Sequence, residues 1–133
     1  MAGLVFTPDL YRCGINYVGV TDVALLFDSM PKHWEPLKEL MKVQIGDPDD
    51  ESLMESISPI AHVENIDDPI LIVHGRKDPR VVIEHAERLR GRMMELEKPF
   101  EWLVKGNEGH GFSKEENRIE LYRQMDSFLA ENL

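Results

Sequence analysis

The chain has 133 residues, 42% of them hydrophobic and 30% charged, and a formal net charge of −10. This length suits one compact unit, or a piece of a larger one, with enough apolar content for a real core. The charge repels a phosphate backbone with no basic cluster to offset it, and no apolar run nears the ~20 residues that cross a bilayer, so neither nucleic acid nor membrane is an expected partner.

Residues 1–10 have no basic start and no small-residue cleavage site after an apolar stretch, so they do not read as a secretory signal, and the cytoplasm is the default location. Residues 1–5 suit the end of a helix. Cys13, the single cysteine, has no internal disulfide partner and lies in apolar sequence, which predicts a buried, inert thiol. Residues 14–20 are the first expected strand, and residues 34–43 a weakly amphipathic helix. Residues 46–55 are acidic and turn-rich, predicting a surface loop that leads into a short helix. Their carboxylates lack the alternation and closing glutamate of a calcium loop.

Residues 69–73 and 100–104 are short apolar runs rich in Val, Ile or aromatics, as strands covered on both faces tend to be. Between them Ile83, Ala86, Leu89, Met93 and Leu96 recur at steps of three and four, which stacks them on one face of a helix. A strand, a helix and a strand in that order make the two strands parallel. Ser113 followed by Glu116 fits a capping box opening a last helix, with Ile119, Tyr122, Met125 and Leu129 as its apolar face and Leu121 and Phe128 widening the stripe. Trp34 and Trp102 read as packing residues. The fold class is α/β: a mostly parallel sheet of about three strands between helices, three layers in all, spanning residues 1–133 as one unit.

In such sheets reacting groups collect in loops at the carboxyl ends of the strands. Two loops qualify, residues 74–79 after the second strand and residues 106–112 after the third. Asp78, before Pro79, has the ordinary alternative of a turn or helix-cap carboxylate. His110, between Gly109 and Gly111, has that of a solvated loop residue. Together, at the same end of adjacent parallel strands, the two can meet, and a carboxylate that holds one ring N–H makes an imidazole a general base. His74, Asp78 and His110 also spell a two-histidine, one-carboxylate metal set, which needs tight geometry; a structural His74 is the simpler expectation.

The run from Pro69 through His74, Gly75, Arg76, Lys77, Asp78 and Pro79 to Val81, then Glu108-Gly109-His110-Gly111-Phe112 and Asn117-Arg118, is similar in content and spacing to the C-terminal region of prolyl oligopeptidase family serine peptidases. Thr7-Pro8-Asp9-Leu10-Tyr11, Gly46-Asp47-Pro48 and Ser58-Pro59 also resemble that family, so the likeness covers nearly the whole chain. It implies the C-terminal part of an α/β-hydrolase catalytic domain, with Asp78 as the acid and His110 as the base of a catalytic triad. It implies no metal or organic cofactor, and a peptide or acyl-peptide substrate in the complete enzyme. The triad's serine would precede Asp78 in a G-x-S-x-G elbow. No serine of this chain stands in one, and Arg118 matches a family position that a solvated helix charge explains equally well.

The expected chemistry is therefore acyl transfer with the nucleophile missing, which leaves this chain inactive alone. The rival readings are a non-catalytic interaction or assembly module and a truncation product without separate function. With no earlier strand beside it, the first strand would expose an apolar edge, so self-association into a homodimer or higher oligomer is expected.

Overall fold

The computed structural model describes residues 1–133. Its elements run α1 (Ala2–Phe6), β1 (Gly14–Tyr17), α2 (Val23–Asp28), α3 (Lys38–Ile45), α4 (Glu51–Ile57), β2 (Ile70–Gly75), α5 (Glu84–Glu95), β3 (Phe100–Lys105) and α6 (Glu115–Asn132). Short 3-10 turns cover Pro8–Leu10, Lys32–Leu37 and Pro59–Asn65. The three strands form one sheet in the order β1, β2, β3, with both pairings parallel. No helix is long and apolar enough to cross a membrane.

β2 is the centre of the molecule, and all six of its residues are buried. Because successive side chains of a strand point to opposite faces, its apolar run feeds two separate cores. Ile70 and Ile72 pack with Leu4 and Val5 of α1, Val63 and Ile66, and Ala86, Leu89 and Met93 of α5. Leu71 and Val73 pack on the other face with Leu103, Phe112, and Leu121 and Phe128 of α6. Helices thus cover both sides of the sheet, as the apolar periodicity requires. Trp102 supports the first core from its edge, with the Arg90 guanidinium stacked 5.1 Å from its ring centre.

Several boundaries differ from the sequence expectation. β1 stops at Tyr17 and does not reach Val20, because Val18 takes a left-handed backbone with φ of 50° that ends the pleat. β2 and β3 run on to Gly75 and Lys105. The helix expected over 34–43 begins only at Lys38, since Pro36, which has no N–H, holds the preceding residues in a 3-10 turn. The acidic stretch does lead into a short helix, α4, whose first turn is capped by the Asp50 carboxylate accepting the Leu53 N–H at 2.9 Å.

The larger corrections concern α6. No capping box forms: the helix starts behind Lys114 without a side-chain cap, and Ser113 turns instead toward Glu108. Its buried face is Asn117, Leu121 and Phe128, with Met125 and Leu129 at the margin. Ile119 and Tyr122, expected inside, are 44% and 62% exposed. At ~100° per residue, Leu121 and Phe128 lie nearly in line, while Ile119 falls on the opposite side and Tyr122 to the flank. Cys13 is half-buried against the Leu71–Val73 core and not fully enclosed.

Candidate active site

The sheet's carboxyl end carries two loops. One leaves β2 at Gly75 and delivers Asp78; the other leaves β3 at Lys105 and delivers His110. Backbone bonds stitch them together, the Arg76 N–H reaching the Lys105 carbonyl and the Lys77 N–H the Glu108 carbonyl, each at 2.9 Å. This closeness depends on Gly75. A Cβ there would stand 2.1 Å from the Gly109 carbonyl oxygen and 2.7 Å from Glu108 backbone atoms, so only glycine lets the loops touch.

Asp78 is 6% exposed, and both of its oxygens are engaged. Oδ1 accepts the N–H groups of Arg80 at 2.8 Å and Val81 at 3.0 Å, which closes the turn that leads toward α5. Oδ2 faces His110 Nδ1 at 2.8 Å. An ionised carboxylate only accepts, so the imidazole carries its proton on Nδ1 and keeps the Nε2 lone pair free. The His110 side chain is one-third exposed (33%), so the ring can meet a reactant from solvent.

His74, completely buried, stands behind this pair. Its Nε2 lies 2.8 Å from the Val81 carbonyl, to which it donates, and 3.7 Å from Asp78 Oδ2. A nitrogen committed to a carbonyl as donor has no lone pair for a metal, and no group of three or more His, Cys, Asp or Glu has metal-holding geometry. His74 therefore braces the Asp78 turn. Arg118 is exposed on α6.

The His110 loop is held from further points. The Tyr17 hydroxyl, at the end of β1, accepts the Phe112 N–H, and the two rings meet edge to face with centres 5.6 Å apart. Gly111, at φ of 100°, makes the reversal between His110 and Phe112. Glu108 is 1% exposed. Its Oε2 accepts the Ser113 N–H at 2.9 Å and the Ser113 hydroxyl at 3.1 Å, and its Oε1 accepts the Lys114 N–H at 3.0 Å and Asn117 Nδ2 at 2.7 Å. The Ser113 N–H, then the Asn117, Lys114 and Ser113 side-chain and backbone donors, hold the Glu108 carboxyl down at about 2 against the opposing effect of burial.

The sequence placed Asp78 and His110 in loops at the same end of adjacent strands, and the structure brings the two side chains into contact. It did not assign roles to Glu108, Tyr17 or Gly75. Glu108 stood in plain view two residues before His110, but Ser113 and Glu116 offered a more familiar helix-start pattern. Tyr17 is 95 residues from its partner, and only the fold joins them.

Residues 1–133, the entire chain, match the family model of the prolyl oligopeptidase family. The chain belongs to that family. It is 30% identical over 136 residues to dipeptidyl aminopeptidase BIII of Pseudoxanthomonas mexicana, an alignment that covers 100% of this chain and 20% of that protein. Among solved structures it resembles a puromycin-hydrolysing peptidase of Mycobacterium tuberculosis, with a TM-score of 0.87, 22% identity, and coverage of 97% of this chain and 19% of that one. It also resembles the acylaminoacyl peptidase of Pyrococcus horikoshii, with a TM-score of 0.84, 20% identity, and coverage of 98% and 22%. The chain thus spans about a fifth of the length of these relatives, and its fold is the C-terminal portion of an α/β-hydrolase peptidase domain.

Proposed function

We propose that Asp78 and His110 are the acid and base of a Ser-His-Asp triad whose nucleophile lies outside these 133 residues. The reaction is acyl transfer on a peptide or acyl-peptide. A serine hydroxyl attacks the carbonyl while His110 Nε2 takes its proton, and the imidazolium then returns that proton to the leaving amine. Asp78 holds the Nδ1 proton and stabilises the imidazolium. The observation that carries this reading is the 2.8 Å contact between Asp78 Oδ2 and His110 Nδ1, made by loops at the same end of adjacent parallel strands. Family membership supports it.

No serine of this chain occupies a glycine-flanked elbow, and the elbow also furnishes an oxyanion-hole donor. Without both, the Asp–His pair has nothing to activate, and this chain alone is expected to be inert. A serine-directed fluorophosphonate probe should leave it unlabelled, and hydrolysis of aminoacyl esters should match a His110→Ala control. Labelling, or turnover that depends on His110, would overturn the proposal by revealing a nucleophile among the serines present.

A second reading, an assembly module, is favoured by one observation: within these 133 residues β1 pairs with β2 only, so its other edge is open to a further strand. The Gly14 and Val18 N–H groups bond to the Pro69 and Val73 carbonyls, so by alternation those of Ile15 and Tyr17 point outward. Neither lysine nor proline guards Gly14–Tyr17. Two copies joined antiparallel along β1 would make a six-stranded sheet about a two-fold axis. Light scattering at micromolar concentration reads this directly, and a strictly monomeric chain would refute it.

A further inference from the structure

Glu108 is a carboxylate with no remaining capacity. A carboxylate offers about four lone-pair sites, and here four donors fill them: two backbone N–H groups, one hydroxyl and one amide. None of these partners is a cation. The side chain is enclosed, and its charge is balanced wholly by N–H and O–H dipoles at the start of α6, where the helix macrodipole also favours an anion. A buried group so completely satisfied rigidifies whatever it joins.

What it joins is the His110 loop. Through its side chain Glu108 grips Ser113, Lys114 and Asn117, the residues that follow the loop and open α6. Through its main chain it grips the Asp78 loop, its carbonyl accepting the Lys77 N–H at 2.9 Å. Asn107 adds a strut, its Oδ1 accepting from the same Asn117 amide at 3.0 Å. His110 lies inside the circuit these bonds close, two residues after one grip and three before the other. With the ends tied, and Phe112 tied to Tyr17, the imidazole has one place to stand, and Asp78 is there.

Resting on the triad reading above, we propose that Glu108 is a positioning residue that couples the Asp78 loop, the His110 loop and α6, and so holds the imidazole in its Asp78-bonded tautomer. It touches no reacting atom and acts only through His110. The neutral amide of Glu108→Gln has nearly the same shape but turns an N–H₂ toward a site where each oxygen position faces a backbone N–H that can only donate. At least one of the four bonds must then become a donor–donor contact, and the loop has to open.

The test is the ring chemistry of His110 in the full chain labelled with 15N-histidine, read by long-range 1H–15N correlation beside far-UV circular dichroism. The unsubstituted chain should show His110 as the Nδ1–H tautomer, and Asp78→Asn should release it; a His110 signal indifferent to Asp78→Asn would sink the triad reading itself. Given that response, Glu108→Gln should reduce the Nδ1–H preference about tenfold or more, the size of one charge-assisted hydrogen bond. Asn117→Ala, which removes one donor and leaves the backbone pair, should give a smaller loss in a chain that keeps its helix content. Met93→Ala controls for mere destabilisation: buried in the core on the other side of the sheet, it should lower stability and leave the His110 tautomer unchanged. If Asp78→Asn shifts the tautomer but Glu108→Gln and Asn117→Ala do not, or if Met93→Ala shifts it as far as they do, Glu108 is a structural cap and the proposal fails.

Discussion

Replacing Gly75 by alanine tests the closeness of the two loops with a single methyl group. Its Cβ would lie 2.1 Å from the Gly109 carbonyl oxygen, about 1.3 Å inside the 3.4 Å at which ordinary contact begins. The atoms in the way are backbone, so no side-chain rotation relieves them. Overpacking of this kind costs ~1–3 kcal/mol. Moving the loop far enough also breaks the Lys77–Glu108 backbone bond and separates Asp78 from His110, adding about 1 kcal/mol for each ordinary bond lost. A total of ~3–5 kcal/mol follows, which at an m-value of about 2 kcal/mol/M moves the urea midpoint down by ~1.5–2.5 M. The same sample should lose the Nδ1–H preference of His110. A midpoint within ~0.3 M of the parent, with the His110 tautomer retained, would show that the loops have slack the structure denies them.

The phase of α6 is testable by contrast: Leu121→Ala, at a side chain only 3% exposed, should cost ~2–5 kcal/mol, whereas Ile119→Ala and Tyr122→Ala should each stay within about 0.5 kcal/mol in urea titration. His85 is fully enclosed, its Nδ1 accepting the Thr21 and Asp22 N–H groups at 3.3 and 3.4 Å, and burial lowers its pKa from 6.5. The unfolded chain therefore binds a proton there first, so His85's contribution is complete above 6.5 and is lost as pH falls toward the lower folded value; His85→Gln should flatten the fall in urea midpoint over that window. Glu108 has the same sign in a lower window, its contribution intact above 4.5 and lost only as pH falls toward about 2, so the difference in urea midpoint between the parent chain and Glu108→Gln should hold near pH 5 and shrink progressively below 4.5.

Features set by local pattern were readable from the sequence. The apolar runs around Ile70 and Phe100 and the Ala86–Leu89–Met93 stripe carry their own periodicity, and parallel pairing follows from the order strand, helix, strand. The meeting of Asp78 and His110 was readable because both loops follow the ends of adjacent parallel strands. Features settled by competition between neighbours were not. Ser113 had two acceptable partners, Glu116 in a capping box or Glu108 across the loop, and only packing decides which is met. Ile119 is as apolar as Leu121 and Phe128, Tyr122 carries a large aromatic ring, and the sheet selects the face that α6 presents. Val18 belongs to a β-branched run that argues for strand, yet its backbone turns left-handed where the chain leaves the sheet. The Gly75 requirement comes from a chain segment more than thirty residues away, which no local window contains.

The order of the strands also bears on how the molecule breathes. Ile70 meets Phe100 across roughly 30 residues of chain, whereas Gly14 meets Ile70 across roughly 56, and nearly doubling a loop adds about 0.6 kcal/mol to the entropy of closing it. β2 shares six registered pairs with β3 and four with β1. The unit from β2 through α6 is therefore expected to close first and open last, with β1 and the helices around it as the looser partner. Asp78, His110, Glu108 and His74 all belong to the tighter unit. Amide protons of β2 should outlast those of β1 in deuterium, and a molecule caught with β1 undocked would still hold its aspartate against its histidine, short only of the tyrosine that ties down Phe112.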